Sequence, residues 1–105
     1  MKIFIVIPAF NEEKNIGKVL KEVSKTKYPI IVVDDGSTDK TFKVLQKFQI
    51  PNSKFQILRH RVNLGKGAAM KTGAEAAFAL GADGVVFMDS DGQHKVSDYL
   101  NLLKA

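Results

Sequence analysis

Short apolar runs alternate with amphipathic stretches along the whole chain. Lys2 to Ile7 is nearly unbroken isoleucine, phenylalanine and valine, the habit of a strand buried on both faces of a parallel sheet, and Pro8 ends it. Asn11 followed by Glu12 and Glu13 predicts a helix start, with a side-chain acceptor at the cap and negative charge in the first turn. Ile16, Val19, Leu20 and Val23 then recur at i, i+3, i+4 and i+7, while Lys14, Lys18, Lys21 and Lys25 take the opposite, solvated side. After Pro29, Ile30 to Val33 predicts a second buried strand that runs into the turn residues Asp34-Asp35-Gly36-Ser37. Ser37 or Thr38 is the expected cap of a second helix reaching about Phe48, with Phe42, Leu45 and Phe48 on one side and Pro51 and Asn52 as breakers. Phe55 to Leu58 predicts a third, shorter strand, followed by a basic, glycine-bearing loop from Arg59 to Gly67. Ala68 to Leu80 predicts a third helix, so rich in alanine and glycine that its backbone should lie close to the sheet, and Gly81 stops it. Val85 to Met88 is the fourth strand, and Ser97 to Lys104 begins a fourth helix.

This alternation implies an α/β fold: an open, mainly parallel, Rossmann-like sheet with right-handed crossovers and helices on both faces. In such sheets ligands bind beyond the carboxyl ends of the strands. The loops that meet at that edge carry Pro8 to Glu12, Asp34 to Ser37, Arg59 to Gly67 and Asp89 to Gln93, and most of the unusual polar residues lie in them. A chain of 105 residues forms one domain, 1–105, with a single core.

Composition changes this picture in few places. Hydrophobic residues at 45% and charged residues at 26% exclude a disordered or fibrous chain. Sixteen Lys and Arg against eleven Asp and Glu leave +5, which favours anionic ligands such as nucleotides, phosphorylated lipids or a negative membrane surface. No cysteine means no disulfide framework, and the first apolar run is too short for a signal peptide or a membrane span, so the expected location is cytoplasmic.

The chemistry is densest at Met88-Asp-Ser-Asp-Gly-Gln-His94. In extended backbone, Asp89 and Asp91 share a face while Ser90 turns away, so both carboxylates can converge on one cation. Hard oxygen ligands suit Mg2+ or Mn2+, with water and substrate phosphates completing the shell, and Gln93 offers a further amide oxygen. Lys66, with the backbone amides near Gly65 and Gly67, stands where phosphates could be met at the start of the third helix. Asp35 or Glu12 would accept hydrogen bonds from a base or ribose, and Asp34 and Asp35 are equal candidates, one of them for capping the turn. Arg59 and Arg61 are weaker candidates, each as readily a solvent-exposed loop charge; His60 and His94 lie too far apart in sequence to pair as a local metal box, and His94 is as readily a structural hydrogen-bonder as a phosphate contact. Gly65-Lys66-Gly67 lacks the third glycine of a dinucleotide fingerprint, and neither a phosphate-loop pattern nor a nucleophile elbow is present.

Val6-Ile-Pro-Ala-Phe-Asn-Glu-Glu13, Val32-Val-Asp-Asp-Gly-Ser-Thr-Asp39, Asn63-Leu-Gly-Lys-Gly67 and Met88-Asp-Ser-Asp-Gly-Gln-His94 resemble, in order and spacing, the family 2 glycosyltransferases of GT-A fold. Within that family the chain looks most like the polyprenyl-phosphate sugar transferases such as dolichol-phosphate mannose synthase. The resemblance implies inverting transfer of a hexose from a UDP- or GDP-linked sugar, with a lipid phosphate at the inner membrane face as acceptor. It implies that Pro8, Ala9, Phe10 and Glu12 border the nucleoside, that Asp35 contacts base or ribose, and that Asp89, Asp91 and Gln93 serve the metal. Phe10 stands where the family usually has tyrosine. The family's base lies in an acceptor-binding half past the Asp-x-Asp motif, so none is identified in this chain and it is expected beyond residue 105. The chain then corresponds to the nucleotide-sugar half, with self-association through the exposed surface expected and nucleic acid not expected as a partner. The competing expectation is an inactive nucleotide-binding module that needs a partner. A related nucleotidyltransferase would place a glycine-rich basic signature directly after the first strand, where this chain has Pro8-Ala-Phe-Asn.

Overall fold

The structure, a computed structural model, describes residues 1–48 and 54–91. Its elements run β1 (Ile3–Ala9), α1 (Ile16–Val23), β2 (Ile30–Asp35), α2 (Thr41–Lys47), β3 (Phe55–His60), α3 (Lys66–Ala79) and β4 (Gly84–Phe87). The strands form one four-stranded sheet in the order β3-β2-β1-β4, and every pairing is parallel. The expected breakers Pro51 and Asn52, together with Gln93, His94 and the fourth helix, lie outside the described residues.

Alternation along the two central strands builds a core on each face of the sheet. Ile5, Ile7, Ile30 and Val32 pack with Ile16, Val19, Leu20 and Val23 of α1 and Leu45 of α2. Val6, Val33 and Ile31 face the other way, against Ala69 and Ala77 of α3. Successive side chains of a strand point to opposite faces, so an unbroken apolar run serves both layers at once. The predicted closeness of the third helix is present at Gly73, where an added Cβ would lie 2.3 Å from Val6 Cγ1.

Element boundaries differ from the sequence expectation at the helix starts. Asn11 does not cap α1, which begins at Ile16 with Asn15 in the cap position. Asn11 instead has φ +52, and its Oδ1 accepts the Thr38 amide at 2.8 Å and the Asp39 amide at 3.3 Å. A residue held in left-handed backbone by a partner 27 residues away cannot also start the helix beside it. Neither Ser37 nor Thr38 caps α2: Asp39 Oδ1 takes the Thr41 amide at 2.8 Å, and Ser37 Oγ takes the Asn11 amide at 3.0 Å. β3 runs two residues longer than expected, because Arg59 and His60 continue the ladder opposite Asp34 and Asp35. α3 starts at Lys66, ahead of the expected Ala68, and ends before Gly81, whose φ of +97 suits glycine.

Candidate functional site

β1, β2 and β3 are laid down to one side and β4 returns to the other side of β1, so the strand order reverses between β1 and β4. Loops leave that point in opposite directions and open a crevice beyond the carboxyl ends of the strands. Pro8, Ala9, Phe10, Glu12, Asp35, Asn63, Gly65, Lys66, Ala69, Asp89, Ser90 and Asp91 line it around about 460 Å³, within the size range of small-molecule sites. Pro8, Ala9, Phe10, Glu12, Asp35, Lys66, Asp89 and Asp91 are thus brought together from the sequence candidates, whereas Asp34, Arg59, His60 and Arg61 do not line the crevice, and Gln93 and His94 fall outside the described residues. Asn63, Ala69 and Ser90 were not singled out in advance.

The adjacent aspartates, equal on sequence, separate in the structure. Asp34 points to the α1/α2 face, where Arg59 Nε lies 3.4 Å from its Oδ2 and the Arg59 guanidinium sits 4.1 Å from the centre of the Phe42 ring. Its Oδ1 accepts the Ser37 amide at 3.2 Å, so Asp34 is the residue that caps the turn. Fully buried Oδ2 has that ion pair but no donor with hydrogen-bond geometry among the described residues. Asp35 points to the α3 face and lines the crevice. Its Oδ1 meets His60 Nδ1 at 2.8 Å and the Leu64 amide at 3.0 Å, and its Oδ2 accepts the Gly65 amide at 2.9 Å. Burial opposes the charge, but the bonds from His60, Leu64 and Gly65 outweigh it and hold the carboxyl below its ordinary value.

These contacts define the loop that precedes α3. Gly36, at φ +72, brings backbone against backbone: a Cβ there would lie 2.4 Å from the Val62 carbonyl carbon. The Asn63 side-chain amide donates to the Asp35 carbonyl at 3.4 Å. The Gly65 amide, expected as a phosphate contact, is engaged by Asp35 instead. Lys66 opens the helix, whose amino end receives no side-chain cap. That end is a place where an anion is favoured.

Across the crevice from that helix end, β4 gives way at Met88, whose amide still bonds the Val6 carbonyl at 3.0 Å. The chain has left the ladder by Asp89, so the expected strict alternation does not hold. Ser90, expected to turn away, also lines the crevice and is buried, while Asp89 and Asp91 are partly exposed. Lys66 Nζ pairs with Asp89 Oδ1 at 2.5 Å. No cluster of three or more metal-ligating side chains occurs among the described residues. Two crevice carboxylates with open space between walls nevertheless fit a hard cation that keeps water and phosphate oxygens in its shell. Arg59 serves Asp34 and Phe42, and His60 lies inside the fold.

A family model described as glycosyl transferase family 2 matches residues 4–105. An uncharacterized protein of Methanocaldococcus jannaschii is 41% identical over 104 residues, covering 98% of this chain and 41% of its own length. The UDP-N-acetylglucosamine--dolichyl-phosphate N-acetylglucosaminyltransferase of Methanococcus voltae is 36% identical, over 97% of this chain and 46% of that protein. The dolichyl-phosphate beta-glucosyltransferase of Saccharomyces cerevisiae is 34% identical, over 96% and 33%. The chain thus spans less than half the length of these relatives. Among solved structures, S. aureus TarS in complex with UDP superposes with a TM-score of 0.70 at 26% identity, over 99% of this chain and 32% of that one. A mannosyltransferase from Pyrobaculum calidifontis in complex with GDP-Man and Mn2+ superposes with a TM-score of 0.72 at 24% identity, over 86% and 27%. The GT-A architecture expected from the motifs is thus the one found.

Proposed function

The chain belongs to glycosyl transferase family 2, and on that footing we propose that it is the donor-binding part of a metal-dependent, inverting glycosyltransferase. Its donor is a UDP- or GDP-linked hexose and its acceptor a polyprenyl phosphate at a membrane surface. The observation that carries the reading is the pairing of Lys66 with Asp89 across the crevice. A metal-bound diphosphate would take this pair apart, with the cation going to the carboxylates and the lysine to the phosphates.

In this reading the base lies against Pro8, Ala9 and Phe10, the apolar wall at the end of β1, and Glu12 accepts from the nucleoside. Asp89 and Asp91, with Gln93 as the further candidate, would hold Mg2+ or Mn2+, and such an ion supplies Lewis-acid stabilisation of the departing diphosphate. Lys66 and the uncapped end of α3 neutralise the phosphates from the opposite wall. Transfer breaks the bond between the anomeric carbon and the diphosphate oxygen while an acceptor oxygen bonds the opposite face of that carbon. A phosphate acceptor is largely ionised near neutral pH, since its second pKa is about 6, so it needs positioning more than deprotonation. The relatives' names support a lipid-phosphate acceptor, and no helix among the described residues is long and apolar enough to cross a membrane.

Calorimetric titration of the purified chain with UDP and with GDP, with and without Mn2+, tests the proposal. Metal-dependent binding of one nucleotide is expected, abolished by Asp91→Asn and weakened at least about tenfold by Lys66→Met, the loss of one charge-assisted phosphate contact. Binding of neither nucleotide, or binding indifferent to metal and to both substitutions, would overturn it.

A further inference from the structure

His60 is the one histidine among the described residues, and both of its ring nitrogens are engaged. Nδ1 lies 2.8 Å from Asp35 Oδ1 and Nε2 lies 2.8 Å from Thr72 Oγ1 on α3. The imidazole is 12% exposed and the Asp35 side chain 3%. An ionised carboxylate only accepts, and Asp35 is held toward its ionised form, so the proton on this contact belongs to Nδ1. In the neutral ring Nε2 is then the acceptor, and the Thr72 hydroxyl donates to it. The result is a connected chain: Thr72, His60 and Asp35, and on the far side of Asp35 the amides of Leu64 and Gly65. It ends one residue before Lys66.

We infer that His60 is a positioning residue for the donor's diphosphate. Braced by Thr72, it fixes the Asp35 carboxylate, and Asp35 in turn sets the Leu64–Gly65 loop that aims Lys66 and the start of α3 into the crevice. The inference rests on the donor-site reading above and deepens it, because neither His60 nor Thr72 lines the crevice itself. Three features support it together. Register places His60 directly opposite Asp35 in the β2–β3 ladder. The Asp35 carboxylate joins the ring to two consecutive loop amides. Gly36 locks the same loop from the neighbouring backbone.

The test uses two readouts on the full chain: amide hydrogen exchange at Leu64 and Gly65, and affinities for nucleoside monophosphate and diphosphate in the presence of Mn2+. In His60→Leu, exchange at both amides should quicken about tenfold, and diphosphate affinity should fall about tenfold while monophosphate affinity changes less than about twofold. His60→Asn, whose side-chain amide can donate near the Nδ1 position, should restore diphosphate affinity to within about threefold. Thr72→Val keeps the shape and removes only the brace, so it should give a smaller loss of the same kind, and it serves if the histidine variants do not fold. Unchanged exchange at Leu64 and Gly65, or equal losses for both nucleotides, would overturn the inference. If the unsubstituted chain binds no nucleotide, the donor-site reading fails on its own, and the exchange data alone decide whether His60 holds the loop.

Discussion

Gly73→Ala should destabilise the fold even though alanine is the better helix former. Gly73 sits in the interior of α3, where replacing glycine by alanine normally gains about 0.8–1 kcal/mol. Here the new methyl would stand 2.3 Å from Val6 Cγ1 and 3.2 Å from Val33 Cγ2. Both valines are fully buried in the two central strands, so neither can swing into solvent. Overpacking of this sort costs about 1–3 kcal/mol, which leaves a net loss of about 1 kcal/mol. For a domain of this size that is a drop in Tm of about 4–8 °C, readable by thermal denaturation. Gly67→Ala, on the same helix with nothing within 4 Å of the added carbon, should instead raise Tm. Combining Gly73→Ala with Val6→Ala adds one carbon on α3 and removes the two Val6 methyls, one of which it would strike, so the pair should be less damaging than the sum of the singles by at least about 1 kcal/mol. A Gly73→Ala chain as stable as the Gly67→Ala chain would refute the close seating of α3 on the sheet.

Two further outcomes follow from the loops. Gly36→Ala meets both a φ of +72 and a backbone carbon 2.4 Å away, which no side-chain rotation can relieve, so it should cost more than about 2 kcal/mol in urea denaturation and loosen nucleotide binding with it. At Asp39, burial opposes ionisation, but hydrogen bonds from Thr41, through its hydroxyl and amide, and from the Glu13 amide outweigh it and hold the carboxyl below its ordinary 3.8. A depressed folded value means stability that is present above 3.8 and lost as pH falls through the folded value, so Asp39→Asn should flatten the acid limb of the urea midpoint as pH falls below 3.8. An acid limb as steep as that of the unsubstituted chain would count against this role.

The strands and the apolar stripe of α1 were legible because each follows a short local period. Ile16, Val19, Leu20 and Val23 are all buried, as their spacing requires. Helix starts were not, since the deciding partners are distant in sequence. Asn11 has the composition of a cap, yet its carboxamide oxygen serves the amides of Thr38 and Asp39. The crevice was largely readable, because turn chemistry gathers at one sheet edge whatever the details of each loop. What sequence could not divide was the Asp34-Asp35 pair. Strand alternation sends them to opposite faces, but which face holds the crevice depends on α3, and α3 is positioned by β3 and the return of the chain to β4. The role of His60 could not be read for the same reason: its partners, Asp35 and Thr72, are joined by strand register and by helix docking. The one signal available beforehand was a histidine at the start of a glycine-bearing loop.

The central claim is that one crevice, between the ends of β1 and β4, holds a metal-bound nucleoside diphosphate. Paramagnetic broadening tests it directly, with amide resonances of the isotopically labelled chain followed as Mn2+ is added with UDP or GDP. The account predicts loss of signal at Gly65, Lys66, Asp89, Ser90 and Asp91 that requires the nucleotide, with Lys2, Tyr28 and Lys54 at the opposite edge of the sheet unaffected. Broadening centred on that opposite edge, or none at the crevice when metal and nucleotide are both present, would contradict it.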